Sequence, residues 1–106
     1  MNIQSIKAEL TDYIEDYISQ NKKQYDEIDL TELHQILFNE DYYIVGYYKA
    51  EQWLNRHNIS IFEGIEFCQQ YEKDNFGECR QYTNPEHLVN MITYIIGEEI
   101  IFNDAL

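Results

Sequence analysis

The sequence predicts an all-α fold, a compact single-domain bundle of about five helices over residues 1–106. Three observations carry that expectation. Apolar residues recur at three- and four-residue steps, helix-capping signals punctuate the chain at helical intervals, and the connections between these segments are short. A chain of 106 residues with 44% hydrophobic content is long enough for one modest core, and too apolar to stay disordered.

The first segment, Met1 to Asn21, places Ile3, Ile6, Leu10, Ile14, Tyr17 and Ile18 on one helical face. Glu9, Asp12, Glu15 and Asp16 fall on the remaining faces, several at surface-neighbour spacing, where like charges cost a few tenths of a kcal/mol per pair. Lys22 and Lys23 suit its C-terminus. Tyr25 to Asp29 reads as an acidic connector, and Asp29 with Glu32 has capping-box spacing.

A short helix from about Leu30 to Phe38 would bury Leu30, Leu33, Ile36 and Leu37. Asp41 can cap a third helix, roughly Tyr42 to His57, with Ile44, Tyr47, Tyr48 and Leu54 on its apolar side. Gly46 inside it suggests close helix approach, a kink or a delayed helix start. Asn58 and Ile59 form a turn, and Ser60 with Glu63 forms a capping box that opens a helix from Ile61 to about Asp74. Ile61, Ile65, Cys68 and Tyr71 share one side of it, and Gly77 marks its end. Glu78 to Thr83 is irregular or briefly extended. Asn84 then caps a last helix with Pro85 at its first position, running to about Phe102 with Leu88, Met91, Ile92, Ile95 and Ile96 as its stripe. The aromatic-dense stretch Glu32 to Leu54, which holds Phe38, four tyrosines and Trp53, is expected at the centre of the core.

Charge is the strongest bulk signal: twenty Asp and Glu oppose seven Lys and Arg, a net of −13. Such a surface repels nucleic acid and anionic membranes and attracts basic partners. Between Glu9 and Asp41 lie ten carboxylates and two lysines, a local net of −8. These ten, Glu9, Asp12, Glu15, Asp16, Asp26, Glu27, Asp29, Glu32, Glu40 and Asp41, are the candidate partner-binding residues. A second acidic group follows in Glu63, Glu66, Glu72, Asp74 and Glu78, and a third in Glu98, Glu99 and Asp104.

Catalytic and cofactor chemistry lacks diagnostic spacing. The four glycines are isolated, the three histidines are scattered, and no zinc-type Cys or His pattern occurs, so no enzyme activity, metal or cofactor is expected. Cys68 is expected in the core, Cys79 in a loop, and His34 as a partly buried structural residue. The opening MNIQSIKAEL is too polar for a signal peptide's apolar region, no run approaches a membrane span, and a cytoplasmic location is expected.

Leu33–His34 on a short helix, Tyr47, Tyr48, Ala50 and Glu51 opening the next, and the Ile59-to-Glu63 turn together resemble the Ocr-type phage antirestriction proteins. The likeness covers roughly Glu32 to Phe67, and the chain carries less acid than that family. It implies an acidic helical DNA mimic in a bacterial host cell, whose partner is a basic nucleic-acid-binding defence protein such as a restriction enzyme or CRISPR effector. The alternative reading is a helical interaction module that uses exposed tyrosines and Trp53 as anchors, with acidity only for solubility. The tyrosine excess, ten against five phenylalanines, also allows a homodimer.

Overall fold

Helix α1 (Ile3–Asn21) begins where the Asn2 side chain accepts a hydrogen bond from the Ser5 backbone N–H at 3.1 Å, which satisfies one orphan donor of the first turn. The computed structural model of the chain describes residues 1–38 and 47–104, without the side chains of Tyr47, Asn103 and Asp104. Ile6, Leu10 and Ile14 are buried as their spacing predicts, Tyr17 and Ile18 are half-buried, and Ile3 is exposed. Lys22 ends the helix in the left-handed conformation. The acidic connector folds as one 3₁₀ turn (Tyr25–Glu27) and buries Ile28.

Asp29 caps α2 (Leu30–Phe38) by accepting from the Glu32 N–H at 2.8 Å. Leu33, Ile36 and Leu37 are buried, whereas Leu30 at the first turn is exposed. Helix α3 spans Tyr47–Arg56. The expected cap at Asp41, the tyrosines at 42 and 43, Ile44 and Gly46 lie outside the described residues, as does Glu40. Helix α4 (Ile61–Phe76) opens with the complete Ser60–Glu63 capping box and stops at Gly77, whose φ of 79° is the left-handed region that glycine adopts without a Cβ clash. Helix α5 (Pro85–Glu99) starts from Asn84, which accepts from the Glu86 N–H, and its backbone widens into a π-helical turn over Ile100–Asp104. The described residues therefore form five α-helices and no strand, the expected fold class.

The centre of the bundle differs from the expectation. Among the described residues, helix α5 packs against α1, α2, α3 and α4, and every helix pair in substantial contact includes it. Its buried residues occupy more than one stripe: Leu88, Ile92, Ile95 and Ile96 are joined by Val89, Thr93 and Gly97, while Met91 is half-buried. A helix that is apolar around most of its circumference belongs inside a bundle. Gly97 lets α2 approach closely, since a Cβ there would lie 2.9 Å from Leu37 Cδ1. The described part of the aromatic-dense stretch does supply core residues, Trp53 above all, from α2 and α3, which both pack on α5.

The buried stripe of α4 is also a different one. Gly64, Cys68 and Glu72 face inward, Ile65, Phe67 and Tyr71 are half-buried, and Ile61 and Phe62 are exposed, Phe62 at 84%. Gly64 brings α4 close to α5, since a Cβ there would lie 2.9 Å from Leu88 Cδ2, and buried Glu72 is satisfied from the segment after the helix. Arg80 donates to it at 3.1 Å and Tyr82 donates through its hydroxyl. Gln69 holds the same segment by donating to the Arg80 carbonyl at 3.1 Å. The irregular residues 78–83 thus act as a strap across α4.

Candidate functional site

The ten candidate carboxylates separate into three groups. On α1, Asp12, Glu15 and Asp16 point away from the buried face and are exposed, as are Asp26 and Glu27 in the 3₁₀ turn and Asp29 after it. The Tyr25 hydroxyl donates to Glu15 at 3.2 Å, which ties the acidic turn to α1. Glu9 and Glu32 are half-buried and bound internally. Glu40 and Asp41 lie outside the described residues.

Glu32 sits between two donors, Lys23 and the Tyr17 hydroxyl at 2.8 Å. Hydrogen bonding from Lys23, and then from Tyr17, holds its carboxyl below the ordinary value, and the bond to Glu32 raises the Tyr17 phenol. Of the two lysines in the acidic stretch, Lys23 is therefore engaged, and Lys22 remains at the exposed helix cap.

Phenol-to-carboxylate bonding recurs through the fold. Tyr71 donates to Glu98 at 2.6 Å and Tyr82 to Glu72. Burial first, and the adjacent carboxylate second, push both phenols well above their ordinary value. Burial alone would raise the Glu72 carboxyl, but the bonds from Tyr82 and Arg80 together outweigh it and hold the group low. Burial pushes the neighbouring Cys68 thiol up to about 12, which leaves it an inert core thiol, while Cys79 is a half-buried loop residue. Many of the tyrosines thus serve as internal donors that let acid groups sit at the edge of the core.

Glu9 belongs to a cluster that sequence spacing did not reveal. His57 is 3% exposed; its Nε2–H donates to Glu9 at 2.7 Å, and its Nδ1 lies 2.7 Å from the Ser5 hydroxyl. Arg56 donates to the other Glu9 oxygen at 2.8 Å, the Trp53 ring packs on His57 at 4.6 Å, and the Asn2 N–H donates to the His57 carbonyl. A serine, a histidine and a glutamate in hydrogen-bonded series have the composition of a nucleophile relay. Here the ring is enclosed and the Ser5 hydroxyl also bonds the Asn2 carbonyl at 3.1 Å, so the cluster ties the start of α1 to the end of α3. The only advance signal was His57 next to a predicted helix end.

The aromatic anchors change accordingly. Trp53 is 1% exposed and cannot serve as a surface anchor, because its indole is needed in the core. Tyr48, expected on the apolar side of its helix, is 74% exposed. His34 is exposed rather than partly buried, and its ring stacks on Tyr94 at 4.9 Å. Among the described residues no group of His, Cys, Asp and Glu is placed to hold a metal ion, and no helix is long and apolar enough to cross a membrane.

No protein-family model, curated protein or solved structure matches the chain. The likeness to the Ocr-type proteins therefore rests on the short motifs between Glu32 and Phe67.

Proposed function

We propose that the protein is a non-enzymatic acidic inhibitor that occupies the basic nucleic-acid groove of a host defence protein, a restriction enzyme or CRISPR effector, in the cytoplasm of a bacterial cell. The observation that carries this reading is the exposed set Asp12, Glu15, Asp16, Asp26 and Glu27, held on one helix and on the turn that Tyr25 ties to it. On α1, carboxylates at four-residue spacing stand about 5–6 Å apart at Cβ, a fixed array of anions for a lysine- and arginine-lined groove. Glu9 and Glu32 contribute by positioning neighbouring elements, since each is bound to partners within the fold.

Affinity capture from a bacterial lysate tests the reading, with elution by rising salt. Recovery of a DNA- or RNA-binding enzyme by the native protein, and its loss with the variant Asp12→Asn/Asp16→Asn/Asp26→Asn/Glu27→Gln, is the expected result. Capture that neither salt nor neutralisation weakens would remove the mimic mechanism.

The exposed aromatics Tyr48 and Phe62 favour a second reading, a helical interaction module that uses these rings as anchors. Tyr48→Ala and Phe62→Ala would then abolish capture while the neutralised variant retained it. Light scattering tests whether the same rings pair two copies of the chain.

A further inference from the structure

Five carboxylates of the second and third acidic groups, Glu63, Glu66, Asp74, Glu98 and Glu99, far apart in sequence, line one trough between α4 and α5. A cavity of about 520 Å³ opens beside a second of about 310 Å³, and the two share Tyr71 and Ile95 as lining. Met1, Phe67, Tyr71 and Ile95 give the trough an apolar floor. Glu63, Glu66 and Asp74 line its α4 side, and Glu98 and Glu99 its α5 side. Phe76, 67% exposed, extends the apolar surface at one end, with its ring 6.4 Å from Tyr71.

We infer that this trough docks a basic amphipathic helix of a partner protein. No lysine or arginine lines either cavity among the described residues. The N-terminal ammonium is bound to Glu63 at 2.8 Å, and Lys7 approaches Glu99 at 3.8 Å, so the negative charges outnumber the cations that face them. An apolar floor between acidic walls matches a ligand with one apolar face flanked by lysine or arginine. A nucleic acid would be repelled, and a neutral apolar ligand would leave the carboxylates unmatched. The wall on α4 recurs once per turn from Glu63 to Asn75, about 18 Å at the helical rise, so its natural counterpart is a helix of roughly twelve residues. The Tyr71 hydroxyl already holds Glu98 at 2.6 Å, which orients this carboxylate before any ligand arrives.

The inference does not depend on the acidic ridge of α1, and one experiment separates the two. The probe is a fluorescently labelled synthetic peptide of about twelve residues, with leucines on one helical face and lysines on the other, followed by anisotropy. Glu66→Lys/Asp74→Lys, both at exposed positions, should weaken binding at least about tenfold, whereas Asp12→Lys/Asp16→Lys, with the same change in net charge, should alter it less than about twofold. A peptide of the same composition with scrambled order should bind much more weakly. Circular dichroism verifies that each variant keeps its helices. Equal losses for the two variants, equal affinity of the scrambled peptide, or no binding of the ordered one would each overturn the assignment.

Discussion

The Tyr82–Glu72 contact is the sharpest test of how this fold accommodates its acid. The Glu72 side chain is 5% exposed and has two donors, the Tyr82 hydroxyl and an Arg80 guanidinium whose side chain is 71% exposed. Tyr82→Phe removes the enclosed donor and leaves a nearly buried carboxylate to the solvent-screened one. A hydrogen bond to a charged group contributes about 1.5–3 kcal/mol, so the loss should be near 2 kcal/mol, a large share of a total that is commonly ~5–15 kcal/mol. For a domain of this size that lowers Tm by roughly 8–16 °C. Arg80→Ala should cost less than about 1 kcal/mol, because exposure screens its charge. Tyr82→Phe/Glu72→Leu should recover part of the loss, since no buried charge then lacks a donor. Thermal unfolding followed by circular dichroism reads all three variants. A Tyr82→Phe protein within about 0.5 kcal/mol of the native one, or an Arg80→Ala loss exceeding that of Tyr82→Phe, would refute the reasoning.

Four further outcomes are expected. Ile92→Ala, at a fully buried position of the central helix, should cost about 2–5 kcal/mol in denaturant unfolding, whereas Ile61→Ala on the exposed start of α4 should stay within about 0.5 kcal/mol. Gly77→Ala should cost about 1–2 kcal/mol although nothing lies within 4 Å of the added Cβ, since the penalty is the left-handed φ itself. On the acid side, Glu32, Glu63 and Glu72 have folded values below the ordinary carboxylate range. Their contribution is fully present above the unfolded value of ~4.3 and is lost as pH falls through the depressed ones, so acid titration of helical signal should show loss only below that range. On the alkaline side, Tyr17, Tyr25, Tyr71, Tyr82 and Tyr94 all have raised values, so the stability they provide is intact below ~10 and lost as pH rises through the folded values. Tyrosinate absorbance for this group should rise together with the loss of helix, and ionisation with the helices intact would contradict the assignment.

By itself the sequence determined the fold class and most helix ends of this protein. Ser60 with Glu63, Asn84 with Pro85, and Gly77 are legible because a cap acts on backbone groups within its own turn. The inward face of α1 was legible for a related reason, since Ile6, Leu10 and Ile14 repeat on one side of a helix. Such periodicity reports an angle about one helix axis and says nothing of which neighbour covers that face. Only the tertiary structure decided that α5 lies at the centre, that Trp53 is enclosed, and that Glu9 meets His57 from the far end of α3. It also decided which carboxylates are bound within the fold, as with Glu72 and Glu32, and which remain exposed to a partner, as with Asp12 and Asp16. Those outcomes depend on donors brought together from distant parts of the chain, because a carboxylate leaves water only where a phenol, guanidinium or imidazole is positioned to replace it.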